Sequence, residues 1–207
     1  MAIFTPKGRL AFCQNLLDMG QFMGEGRWSY STLFLFPKKM DAKDQERFEI
    51  LLEAIREAGL RKYPAAMVKQ MEKTGDGWPI KSADTKVRRE DGSAVAGFDS
   101  DHWYLTAKAG SVMRKEDYHF EPPEVVLPDA VTPAKHVDVW AGRNAEMAVR
   151  PYPYSPKAPA KGVALALNSV HLLPGGGQFI AAEPASSIYE AVEDDTWAEA
   201  KEAADAI

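Results

Sequence analysis

The order of the patterned segments restricts this chain most: two β-type runs, one long helix, then three more β-type runs, with no regular exchange of strand and helix. Gly8 to Leu17 (GRLAFCQNLL) and Trp28 to Phe36 (WSYSTLFLF) are rich in β-forming and aromatic residues, punctuated by Gly24, Gly26 and Pro37. In Asp41 to Lys62, Phe48, Ile50, Leu51, Leu52 and Ile55 recur at helical spacing, and Asp41 is placed to cap the first turn. His102 to Ala109, Ala145 to Tyr154 and Gly162 to Leu172 read as strands, and the Gly175 to Gly177 run after them reads as a hairpin turn. Residues 63 to 98 carry Gly75, Gly77, Pro79, Gly92 and Gly97 among many charges and read as a long loop or decorated hairpin. A proline-rich connection follows at Pro122, Pro123, Pro128 and Pro133. Without strand-helix alternation a parallel α/β sheet is excluded, and the pattern predicts a mainly β chain with a helical insertion: a small five-stranded antiparallel barrel with elaborated loops.

Hydrophobic residues at 45% and charged residues at 27% are globular proportions, so the 207-residue chain can bury a core. Its single cysteine, Cys13, permits neither an internal disulfide nor a cysteine-based zinc site, which fits a reducing compartment. The N-terminal MAIFTPKGRL has no signal-type apolar run, and no segment approaches the roughly 18 apolar residues of a membrane span. The expectation is a cytoplasmic protein with no membrane contact. A formal net charge of -5 argues against binding a polyanion, until its distribution is considered. Seven of the 30 acids follow Tyr189, against the one base Lys201, which leaves 23 acids and 24 bases in residues 1 to 189. The body is close to neutral, and the acidity belongs to a tail over residues 190 to 207.

Period-two alternation in His102 to Ala109 places Trp103, Leu105, Ala107 and Ala109 on one face and Tyr104, Thr106 and Lys108 on the other. In the later strand, Met147, Val149, Pro151 and Pro153 oppose Arg150, Tyr152 and Tyr154. Each strand therefore has a core face and a face that mixes aromatics with a cation. Such a face suits a single nucleic-acid strand, because every base can stack on an aromatic ring while Lys or Arg meets the adjacent phosphate. Arg143, Lys157 and Lys161 flank the same region, and Lys38 and Lys39 end the second strand, extending a basic track. Taken alone, the pattern somewhat favours tyrosines that pack a barrel with their hydroxyls in water.

Catalytic patterns are poor. His102, His119, His136 and His171 stand apart and match no HExxH or Cys/His metal spacing. Asp99 and Asp101 form only a fragment of a carboxylate metal site, the glycine run lacks the Lys-Ser/Thr of a phosphate loop, and no serine sits in a G-x-S-x-G elbow. The reading is a non-enzymatic protein with no cofactor and no metal.

In order along the chain, GRLAF, YSTLFLFPK before the helix, WAGRNAEMAVRPYPYSP and KGVALALNSVHLLPGGGQF resemble a phage family of OB-fold single-stranded DNA-binding proteins, from Gly8 to about Tyr189. The resemblance implies an OB-fold domain over residues 1 to 189 and an acidic C-terminal tail over 190 to 207. It is similar to replication-associated podophage proteins whose acidic tails recruit replication proteins. That group's tails commonly end in an aromatic residue, whereas this chain ends Ala206-Ile207 with Trp197 further inside. The expected function is non-specific binding and protection of single-stranded DNA in phage replication or recombination, in the host cytoplasm. Tyr104, Tyr152, Tyr154 and Trp103 would stack, and Lys108, Arg143, Arg150, Lys157 and Lys161 would meet phosphates. The tail would compete with DNA and recruit replication or recombination proteins, and the protein could form a homodimer. The near-neutral body also motivates a second reading, a phage protein-protein adaptor or virion-associated component using the same barrel.

Overall fold

A computed structural model describes residues 2–22, 25–86, 92, 95, 97–112, 114–117, 119, 121–154 and 161–177. The acidic tail and Lys157 lie outside them. In chain order the elements are β1 (Ile3–Phe4), β2 (Gly8–Phe12), β3 (Gly20–Phe22), β4 (Glu25–Pro37), α1 (Ala42–Leu60), α2 (Ala65–Thr74), β5 (Ile80–Ser82), β6 (His102–Val112), β7 (Glu124–Val126), β8 (Arg143–Tyr154) and β9 (Gly162–Gly176). The chain is thus mostly β-sheet with two helices.

Five strands pair in a closed circuit. β2 pairs with β4, β4 with β6, β6 with β9, β9 with β8, and β8 returns to β2. These are the five strands expected from the sequence. The expectation of a wholly antiparallel arrangement is corrected at one seam, where β6 and β9 run parallel through Ala107 opposite Leu165 and Lys108 opposite Ala166. The short strands extend this circuit, β1 on β8, β3 on β4, β5 on β6 and β7 on β9.

The inner face follows the alternation. Leu10, Phe34, Phe36, Leu105, Met147, Val149, Leu165 and Leu172 are at most 1% exposed, and each such side chain contributes about 1.5–3 kcal/mol of hydrophobic stabilisation. The alternation breaks once in β9: Leu165 and Leu167 are buried, then Val170 and Leu172. A register shift between Ala148 and Val149 of β8 absorbs the extra residue, as a β-bulge does, and re-aims the second half of β9 inward. The Gly175 to Gly177 hairpin reading is also corrected, because β9 runs on to Gly176, which pairs with Arg143.

α1 starts where Asp41 accepts a hydrogen bond from the Asp44 amide at 2.8 Å, and that bond holds the Asp41 carboxyl below its ordinary range. Its Leu51, Ile55 and Ala58 enter the core, while Ile50, part of the expected apolar set, is 51% exposed. Arg47 ties the helix to the sheet, its Nη1 lying 2.5 Å from Glu146 Oε2 while His171 Nδ1 lies 3.1 Å from Glu146 Oε1. Burial pushes the Glu146 carboxyl up, but the hydrogen bonds from His171 and Arg47 prevail and hold it below its ordinary value.

The region expected to be a loop from 63 to 98 instead contains α2 and β5. α2 has Pro64 at its N-cap and ends at Gly75, whose φ of 77° is the left-handed conformation that glycine adopts without strain. Val68 and Met71 are its buried residues. β5 pairs with the first half of β6, on the edge that β9 occupies further along.

Candidate nucleic-acid interface

The lateral register, more than the sequence spacing, assembles the site. Ala166 of β9 lies opposite Lys108 of β6 on one side and opposite Arg150 of β8 on the other. With strands about 4.8 Å apart, the two cations rise about 10 Å from each other on the outer face with only an alanine between them. Both are exposed. The next outward residues of β8 are Tyr152, opposite Ala164, and Tyr154, opposite Gly162. The outward residues of β9 here are glycine and alanine, so the row Arg150, Tyr152, Tyr154 stands above a floor of small side chains.

Prolines keep this wall of β8 open. Pro151 and Pro153 face inward toward Leu165 and Val163, and among the described residues β8 pairs over 150–154 only with β9. A proline has no N–H to offer another strand and is tolerated at such an edge. Tyr152 is 42% exposed. Partial burial, then the neighbouring Tyr154, raises the pKa of its phenol.

Arg47, Arg56 and Arg114 all pair with carboxylates, whereas Lys108, Arg150 and Lys161 form no ion pair among the described residues. Unneutralised cations beside an exposed aromatic can hold a phosphate while the ring takes a base.

Not every expected residue joins the patch. Tyr104 lies opposite Leu35 and Lys81, its ring edge-on to Phe98 at 5.9 Å with Lys86 Nζ 6.0 Å away. Burial raises the pKa of its phenol, and it packs with the outer apolar cluster of Ala11, Leu33, Leu35, Ala83 and Phe98. Trp103 stacks on Phe48 of α1 at 6.3 Å, with Lys38 Nζ 4.6 Å from its ring and 2.6 Å from Ser82 Oγ. Arg143 starts β8, roughly 23 Å along the strand from Arg150, and its guanidinium covers the Trp140 ring at 4.5 Å.

Tyr154 and Lys161 belong to the patch and also to a cleft that sequence reading missed, about 450 Å³ in volume, formed with Met67, Gln70, Met71, Thr74, Asp76 and Gly77. Tyr63, buried between the helices, clamps this corner: its hydroxyl donates to the Tyr154 carbonyl and accepts from the Gly162 amide at 3.2 Å. The Val163 amide donates to the Gly77 carbonyl at 2.9 Å, and a Cβ at Gly162 would come within 2.6 Å of that oxygen. Glycine is required for so close an approach. The available signal was the spacing of Met67, Gln70, Met71 and Thr74, one face of a helix.

Among the described residues, no cluster of three or more His, Cys, Asp or Glu side chains is placed to hold a metal, and no helix is long and apolar enough to cross a membrane.

No family model matches the chain, and no curated protein matches its sequence. Solved structures match its fold. The single-stranded DNA-binding protein from bacteriophage Enc34, in complex with ssDNA, superposes with a TM-score of 0.56 at 15% identity, over 87% of this chain and 87% of that one. Another structure of the same phage protein gives 0.57 at 16% identity, over 90% and 89%. The gp2.5 single-stranded DNA-binding protein encoded by bacteriophage T7 gives 0.55 at 17% identity, over 94% and 97%. Nearly the whole length of each chain takes part, so this chain is similar in overall fold to these two phage single-stranded DNA-binding proteins.

Proposed function

We propose that this chain binds single-stranded DNA without sequence preference through an OB-type five-stranded barrel, and that it coats and protects single strands during phage DNA replication or recombination. The observation that carries the reading is the row of Lys108, Ala166 and Arg150, continued by the exposed Tyr152. Two free cations and an open ring stand above a floor of alanines, where a backbone can lie and a base can stack. The likeness in fold to phage single-stranded DNA-binding proteins supports it. Tyr154 and Lys161 extend the track at one end, and Lys157 belongs to the segment between them in sequence. Neither a cofactor nor a catalytic step is part of this reading.

The domain comprises residues 1–189, and the acidic tail 190–207 competes with phosphate for the same patch and recruits replication or recombination proteins. A tethered anion acts at high effective concentration and competes for a weakly basic binding face. The test is a mobility-shift titration of the full chain and of a form ending at Tyr189, on single-stranded and duplex oligonucleotides at two salt concentrations. The expected result is tighter binding of single strands by the shortened form, with both forms weakening as salt rises. Failure of both forms to bind single strands at low salt overturns the reading and favours a protein-protein adaptor.

A further inference from the structure

The cleft beside Tyr154 differs in chemistry from the open track. Along the track the surroundings of a base are aromatic or small, and nothing discriminates one base from another. The cleft is lined by the thioether side chains of Met67 and Met71, by the Tyr154 ring, and by two charged groups, Asp76 and Lys161. Such soft, flat-sided surroundings accept a planar ring. The charged groups then act on the periphery of that ring. Lys161 is a pure donor, suited to the phosphate or a ring carbonyl, and Asp76 as a carboxylate only accepts. Thr74 contributes little recognition, since its hydroxyl already donates to the Gln70 carbonyl at 3.0 Å and accepts from the Asp76 amide at 3.3 Å.

Resting on the reading of the chain as a single-strand binder, we propose that this cleft receives one unstacked nucleobase and favours bases that bear an exocyclic amino group, cytosine above thymine, through Asp76. An amino group donates to the Asp76 carboxylate. The O4 of thymine in the same position sets a lone pair against that carboxylate and leaves it without a donor. The same negative charge keeps the phosphate on the Lys161 side, which orients the nucleotide. The walls are fixed by the Tyr63 clamp and the contact of Gly77 with Gly162, so the cleft is present before DNA arrives. The result is a binder tolerant of sequence along most of its track, with a single point of preference where the strand passes α2.

The experiment compares oligo-dC with oligo-dT of equal length on the full chain at one salt concentration, for the wild type and Asp76→Ala. The wild type is expected to favour oligo-dC by about tenfold, the scale of one hydrogen bond to a charged group. In Asp76→Ala the ratio is expected to fall to about one, even where removal of a negative charge tightens both complexes, because the ratio and not the affinity is read. Equal binding of both oligonucleotides by the wild type overturns the proposal while leaving single-strand binding intact. A preference that survives in Asp76→Ala overturns it too, since the preference then arises elsewhere. Binding of neither oligonucleotide removes the underlying reading itself.

Discussion

Over β2, β4 and the first half of β6, the outer face of the strand circuit is apolar and roofed: Ala11, Leu33 and Leu35 are at most 7% exposed, packed with Phe98 and Ala83. Over β9 and the second half of β8 the same outer face is bare, with alanine and glycine between Lys108, Arg150 and Tyr152. Tyr104 and Tyr152 mark the two regions. Each stands outward on a strand near a cation, yet Tyr104 meets Leu35, Lys81 and Phe98, whereas Tyr152 meets Ala164 and solvent. The difference lies in the neighbouring strand. β5 lies beside β6 at Tyr104, where Ala83 and Phe98 cover the face, while β9 lies beside β6 at Lys108 and brings only small side chains. An outward residue is open to a ligand only where the next strand leaves it room.

The largest expected effect comes from opening the roof. Phe98 is 6% exposed and touches both Phe12, at 6.2 Å, and Tyr104. Phe98→Ala should cost about 3 kcal/mol of folding stability, measured by denaturant unfolding, through lost burial and the cavity it leaves. The affinity of the folded fraction for single-stranded DNA should stay as it was. A fall in affinity with stability intact would make the roofed region part of the interface and erase the contrast.

The tyrosines give the next test, in opposite directions. Tyr152→Ala should weaken single-strand binding by about 1–3 kcal/mol, a tenfold effect at 1.4, and leave thermal stability nearly unchanged. Tyr104→Ala should do the reverse, lowering the melting temperature while the gel-shift midpoint holds. Equal losses of affinity in both variants would show that the roof moves aside when DNA binds.

How much of this was legible in the sequence follows from what each feature depends on. The five ring strands and α1 were readable because alternation and helical spacing are local, and Leu105, Ala107 and Ala109 face inward as the period requires. α2 was not, because ten residues that begin at a proline N-cap without a side-chain hydrogen bond offer few repeats and no capping signature. The slip of alternation at Asn168 and the parallel seam between β6 and β9 depend on partners far away in sequence. For the same reason the residue types of the site were legible but their company was not. Nothing in WYLTAKA or RPYPY distinguishes a covered tyrosine from an open one; the residues that decide it, Phe98 and Ala164, lie elsewhere in the chain.

The smallest expected effect sharpens the contrast among the cations. Each phosphate-binding side chain releases condensed counterions when DNA binds, so its removal lowers the slope of log affinity against log salt by about 0.7 on a single strand. Lys108→Ala and Arg150→Ala, both free of ion pairs among the described residues, should each show that loss. Arg143→Ala should not, because its guanidinium is spent on the Trp140 ring far along β8. Titrations over a series of salt concentrations resolve a slope change of that size. A reduced slope in Arg143→Ala equal to that of the other two would lengthen the track from one end of β8 to the other, and an unchanged slope in Arg150→Ala would move it off the alanine floor.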